Sequence, residues 1–83
     1  MKLKVKLYAT LGKYLPAGAE RNVVSMDVPQ DTSVATLIEQ LHLPPELAHL
    51  VLVNGNFIPP GERATTTLSA DDEFAVWPPI AGG

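Results

Sequence analysis

The chain has 83 residues, 46% of them hydrophobic, with a formal net charge of −3 and no cysteine. That length fits one domain spanning 1–83, and that apolar content supports a core, which excludes a disordered chain. The acidic balance excludes broad nucleic-acid binding, and the missing cysteine excludes disulfides, thiol nucleophiles and thiolate metal sites and fits a cytoplasmic protein.

The opening MKLKVKLYAT alternates apolar and charged residues, so it lacks the continuous apolar stretch of a signal peptide. No run approaches the ~18 apolar residues of a membrane span, and no membrane association is expected. Over 2–8, Leu3, Val5 and Leu7 share one side and Lys2, Lys4, Lys6 and Tyr8 the other. A period of two predicts a half-buried strand. Gly12, Pro16 and Gly18 break the segment 9–22, where Leu11 and Leu15 can pack one short turn beneath the strands. Val24, Met26 and Val28 alternate over 23–28, a second strand closed by Pro29, and the two strands suggest an opening hairpin with a longish loop.

In DTSVATLIEQLHL, Asp31, Thr32 or Ser33 can cap a helix with a side-chain oxygen. Val34, Leu37, Ile38 and Leu41 recur at i, i+3, i+4, i+7, which predicts a helix of roughly ten residues with one apolar stripe. Glu39 and Gln40 fall on its wet face, and Pro44-Pro45 stops it. Two short β-rich runs in LVLVNGNFI, 50–58, flank Asn54-Gly55, the dipeptide of a tight hairpin turn. Leu50 to Val53 are apolar at every position, so this strand is interior to the sheet or covered on both faces. Pro59-Pro60-Gly61 breaks the pairing, and Thr65–Leu68 reads as a short strand or an edge. Asp71-Asp72 makes a turn into a last strand at 73–77, with Phe74 and Val76 facing one way and Glu73, Ala75 and Trp77 the other. One helix laid across one face of a mixed sheet is the economical packing, an α+β fold with the first and last strands adjacent near the middle.

Side-chain chemistry is sparse. The only histidines, His42 and His49, have no companions at metal-ligand spacing, so no metal site is expected. Ser25, Ser33 and Ser69 lack a nucleophile-elbow context, Asp71-Asp72-Glu73 reads as a polar turn, and the glycines form no phosphate loop. Lys2, Lys4 and Lys6 read as a solvated face that discourages edge-to-edge pairing, with a docking patch for an acidic partner as the alternative.

The end of the chain, WPPIAGG, is the exception. Pro78 to Gly83 span at most about 20 Å when extended. Pro78 and Pro79 favour a stiff polyproline segment, and Gly82-Gly83 can thread a cleft too narrow for a β-carbon. The α-carboxylate of Gly83 is then the sterically freest reactive group, and as an acyl adenylate it becomes a good electrophile. A flexible terminus without chemistry is the alternative.

VKLYATLGKYLP at 5–16, VLVNGNFI at 51–58 and LSADDEFAVWPPIAGG at 68–83 resemble the ubiquitin-like β-grasp sulfur carriers, the MoaD and ThiS family, across essentially the whole chain. PPIAGG is similar to the molybdopterin branch, whereas VNGNFI is similar to the thiamine branch as well. One departure is Asp71, where the family turn often carries glycine; aspartate tolerates a left-handed conformation better than most residues. The resemblance implies a ubiquitin-like β-grasp fold, a mixed sheet of four to five strands with one main helix on one face. It implies a carrier or small subunit rather than an enzyme. An activating enzyme resembling the ubiquitin-activating type would adenylate Gly83 with Mg-ATP, so this chain would bind no cofactor of its own. A persulfide donor would convert the adenylate to a thiocarboxylate. In the molybdopterin branch the tail (Pro78, Pro79, Ile80, Ala81, Gly82 and Gly83) would enter the large subunit of molybdopterin synthase and give sulfur to a pterin that serves molybdenum or tungsten. Thiazole synthesis for thiamine, or conjugation of Gly83 to lysines as a protein modifier, would use the same terminus; a β-grasp binding module would not need it. Trp77 is the candidate partner anchor, with a cover for the sheet edge as its alternative role; Phe57 and Ile58 are weaker candidates, and Ile80 would help seat the tail.

Overall fold

Alternation in the first strand sorts its side chains as the sequence predicts: Leu3, Val5 and Leu7 are buried, while Lys2 and Lys4 are exposed. The structure is a computed structural model and describes residues 1–79. Strands β1 (Lys2–Leu7), β2 (Val23–Asp27), β3 (Leu50–Val53), β4 (Asn56–Phe57) and β5 (Glu73–Trp77) form one five-stranded sheet in the order β2-β1-β5-β3-β4. β1 is antiparallel to β2 and parallel to β5; β3 is antiparallel to β5 and to β4. The first and last strands are therefore neighbours at the centre, as expected. Helix α1 (Val34–Gln40) packs its Val34, Leu37 and Ile38 into one core with Leu3, Val5, Leu7, Val51, Phe74 and Val76. Each such side chain contributes about 1.5–3 kcal/mol by leaving water, which is what holds helix to sheet.

The helix is shorter than the apolar stripe suggests, because both ends are set locally. Ser33 is the N-cap: its hydroxyl accepts the Thr36 N–H at 3.1 Å. Beyond Gln40, His42 turns to φ 57°; its N–H donates to the Glu39 carbonyl at 2.9 Å, and the Leu43 N–H donates to the Ile38 carbonyl at 3.1 Å. This pair of bonds is a Schellman motif, and it closes the helix before Pro44 is reached. Leu41, the last residue of the stripe, stays buried at the cap.

Two further expectations are revised. Thr65–Leu68 is not a strand. Thr67 makes an isolated bridge with Ser33, because this segment's backbone bonds go to the helix entry: Leu68 N–H to Thr32 O at 2.8 Å, and Val34 N–H to Thr66 O at 2.9 Å. The run before Pro29 ends its pairing at Asp27, one residue early, with Val28 N–H on the Met1 carbonyl. β3 is interior to the sheet, the first of its two expected arrangements, and covered on one face, since Val51 and Val53 are buried while Leu50 is 37% exposed. The loop after β1 does carry its short turn, a 3-10 helix over Ala9–Tyr14 that buries Leu11.

The entry to β5 is fastened by side chains. Asn54 (φ 51°) and Gly55 (φ 83°) form the hairpin tip, both in the left-handed region that a primed turn requires. Asn54 Nδ2 donates to Asp72 Oδ1 at 2.8 Å, its Oδ1 accepts the Glu73 N–H at 2.9 Å, and Asp72 Oδ2 accepts the Ser69 N–H at 2.8 Å. Asp71 takes the left-handed conformation at φ 68° that the glycine of the resembled family would take.

Candidate functional site

Register determines what the uncovered face of the sheet displays, because directly paired residues share a face. Near the start of β5, Lys4 lies between Ser25 and Glu73. One row further, Lys6 pairs with Ala75, Ala75 with Leu52, and Leu52 with Phe57. At the end of β5, Trp77 pairs with Leu50. The face is thus charged where β5 begins and apolar where β5 ends. Phe57 at 52% exposed and Leu50 form the accessible part of that apolar patch. A contiguous apolar patch bordered by charge is the composition of a protein-binding surface.

The last residue of β5 is held from both sides. The Tyr8 ring stacks on the Trp77 ring, with centroids 4.1 Å apart and planes 9° from parallel. The Tyr8 N–H donates to the Val76 carbonyl at 3.0 Å, and the His49 N–H donates to the Trp77 carbonyl at 3.2 Å. Pro78, half-buried, and Pro79, exposed, leave the sheet from this clamp.

Charge on the face is partly neutralised. Lys6 Nζ lies 2.8 Å from Glu73 Oε1. That hydrogen bond raises the Lys6 ammonium above its ordinary pKa and lowers the Glu73 carboxyl below its own. Lys2 and Lys4 make no ion pair among the described residues. No three His, Asp or Glu side chains gather as a metal site among the described residues.

Trp77 sits at the root of the tail on a central strand, so it does not cover a sheet edge. Phe57 joins it on the open face through Leu52. Ile58 does not: it packs against the core, on the opposite side from Phe57, and that packing accounts for its apolar side chain without a partner. Ile80, Ala81, Gly82 and Gly83 lie outside the described residues. The sequence reading missed Tyr8, Leu50 and Leu52 as members of the patch. The signal was available: Leu50 and Leu52 are the out-of-phase apolar positions of a strand whose in-phase Val51 and Val53 already fill the core.

The model of the ThiS family matches residues 7–83. No curated protein sequence matches the chain. Among solved structures, SAMP1 (small archaeal modifier protein 1) of Haloferax volcanii is similar at 27% identity and TM-score 0.69, with 100% of both chains covered. A Pyrococcus furiosus protein assigned as molybdopterin converting factor subunit 1 shares the fold at 22% identity and TM-score 0.69, covering 95% of this chain and 98% of that one. The complex of subunits 1 and 2 of molybdopterin-converting factor from Helicobacter pylori contains the same fold at 16% identity and TM-score 0.61, with 100% of both chains covered.

Proposed function

We propose that this chain, which belongs to the ThiS family, carries sulfur on the α-carboxyl of Gly83 and delivers it in molybdopterin synthesis. The observation that supports this reading most is the root of the tail. Pro78-Pro79 leaves the central strand β5 from between Tyr8 and His49, beside an apolar patch on which a partner can seat. An E1-like enzyme is the first such partner. With Mg-ATP, a Gly83 carboxylate oxygen attacks the α-phosphorus and pyrophosphate leaves, giving an acyl adenylate. The terminal sulfur of a donor persulfide then attacks the acyl carbon and AMP leaves. A second thiolate then attacks the donor's sulfur in the resulting acyl disulfide, forming a disulfide with the donor and releasing the thiocarboxylate. The large subunit of molybdopterin synthase is the second partner, and it supplies the pocket in which the pterin takes the sulfur. In this scheme the chain contributes a scaffold, a docking face and one terminal acyl group, and it catalyses nothing alone.

A second reading is a protein modifier joined through Gly83 to lysine amines. The similarity to SAMP1 over the full length of both chains favours it. The two readings share the adenylate and part at the nucleophile, sulfur or amine. Intact-mass analysis separates them, using the protein purified from cells that co-express its activating enzyme and a sulfur donor. Replacement of one oxygen by sulfur at Gly83 is the expected result. A Gly83–lysine linkage to another protein makes the chain a modifier, and an unmodified terminus overturns both.

A further inference from the structure

On the helix side of the sheet a cavity of about 540 Å³ opens between α1, the turn after it and the 60–64 loop. Ile38, Leu43, Pro45 and Ala48 give it apolar walls. One wall is different: Arg63, only 9% exposed, lines the same cavity. A buried arginine is ordinarily matched by a carboxylate, because a buried charge without a partner is costly. Arg63 has none within salt-bridge reach among the described residues. Its Nε donates to the Ile58 carbonyl and its Nη2 to the His49 carbonyl, both at 3.4 Å, longer than a well-formed N–H···O bond. A guanidinium has five N–H donors; two are engaged here, and since no buried side-chain nitrogen among the described residues lacks a partner, the others open to the cavity's solvent, free for a ligand to take. Burial also lowers the pKa of this group, a sign that it sits in poorly solvating surroundings, though a guanidinium stays charged at any physiological pH. The rim of the cavity carries the opposite sign, in Glu39 and Glu46, both exposed.

We infer that this cavity is a second docking site, taking a segment of a partner protein that places a carboxylate against Arg63, an aliphatic side chain against Ile38 and Leu43, and a basic residue against the acidic rim. The charges select this occupant. A free organic acid meets the repulsion of Glu39 and Glu46 on its way to Arg63, whereas a segment carrying both signs pairs with rim and floor together. Arg63 offers a planar fork that two carboxylate oxygens can accept at once. The inference does not depend on the chemistry of Gly83, since the cavity lies on the helix side and the apolar patch on the other face of the sheet.

The test is an amide NMR titration of the full ¹⁵N-labelled chain with the blocked peptide acetyl-Lys-Leu-Leu-Asp-amide. Saturable shifts at Ile38, Leu43, Ala48 and Arg63 are expected, with binding at least about tenfold weaker for the peptide bearing Asn in place of Asp. Ala64→Trp, at an exposed position of the cavity wall, leaves Arg63 in the sequence, fills the mouth and abolishes the shifts. Absence of saturable shifts overturns the proposal, as does equal affinity for the Asp and Asn peptides. Binding of free 4-methylpentanoate as tightly as the peptide overturns the protein occupant in favour of a small acid. An Arg63→Met variant that keeps a dispersed spectrum and full affinity overturns the role of the charge. If that variant unfolds, the Asp/Asn comparison on the unmodified chain still decides.

Discussion

Trp77 has two tasks, to hold the root of the tail and to present apolar surface, and they can be separated energetically. Its indole is stacked on Tyr8 at 4.1 Å and 9°. Two thirds or more of a tryptophan's ~200 Å² is buried here, which at about 25 cal/mol per Å² gives roughly 3–4.5 kcal/mol for burial in Trp77→Ala. The ring pair itself adds about 0.5–1.5 kcal/mol beyond area. A domain of this size has roughly 4–12 kcal/mol in hand, so the variant gives up a large share of it, and the cycle is measured in a stabilising osmolyte such as sucrose. The measurement is a double-mutant cycle with Tyr8→Ala, Trp77→Ala and the double variant, each unfolded in urea and followed by circular dichroism. Circular dichroism is needed because Trp77 is the sole tryptophan and its fluorescence vanishes with it. A coupling energy of about 0.5–1.5 kcal/mol is expected. A coupling within about 0.3 kcal/mol of zero refutes the view that Tyr8 braces the tail root. The functional half uses Trp77→Phe, which keeps an aromatic stack: it should retain most stability, yet lose affinity for the activating enzyme if the indole is an anchor.

Other perturbations have equally definite outcomes. His42→Gly relieves a left-handed residue at the helix C-terminus and should stabilise by about 0.5–1 kcal/mol, seen as a Tm rise of about 3–6 °C in calorimetry. Asp72→Ala leaves the Asn54 amide and the Ser69 N–H without their acceptor; water replaces it at this exposed turn, so a loss of about 1 kcal/mol in urea unfolding is expected, and no loss would show the network idle. The Lys6–Glu73 pair stabilises only where both groups are charged. Glu73 has a lowered folded pKa, so its contribution is present above the ordinary value of 4.5 and is lost as pH falls through the folded value. Lys6 has a raised folded pKa, so its contribution is complete below 10.5 and is lost as pH rises through the folded value. Glu73→Gln should therefore flatten the acid limb of the stability–pH profile without changing its shape between pH 6 and 9 (a window set by those ordinary values), and added salt should shrink the difference.

Periodicity made most of the fold legible. Period two named the inward residues of β1 and β5, and the i, i+3, i+4, i+7 stripe named the helix face, because in both cases burial follows directly from which way a Cβ points. The Asn54-Gly55 turn was readable, and the cap was narrowed to Asp31, Thr32 or Ser33, for the same reason: each solves a local backbone problem with a local side chain. What failed to read was set at a distance. Nothing in His42 announces that it ends the helix, since the motif needs Leu43 to be drawn into the core. Thr65–Leu68 has β-rich composition, but its partners are the 32–34 turn and not a strand, a matter of chain path. Ile58 sits next to Phe57, yet the pleat sends the two to opposite faces, and only the register with Leu52 tells which is outward. The apolar patch was half legible for that reason. Trp77 and Phe57 stood out by type, whereas Tyr8, Leu50 and Leu52 became members only when β1, β5 and β3 were aligned.

The position of β5 in the sheet bears on how a tail can work as a carrier. Had the last strand lain at an edge, its terminal residues would be paired on one side and would fray, spreading the directions in which the tail departs. Here the strand is central, and its final carbonyls are bonded from both neighbours, Val76 by Tyr8 and Trp77 by His49. Pro78 therefore starts from a fixed point with a fixed heading, and Pro79 restricts the next φ angle as well. On the carrier reading proposed above, a partner would have less of Pro78-Pro79 to order on docking, and less of the docking energy would be spent on it. The apolar residues crowd the end of β5 from which the tail departs, and the charged ones crowd the end from which it does not. A partner that seats on Leu50, Phe57 and Trp77 thus meets the tail at its base, so that face recognition and tail capture become one event.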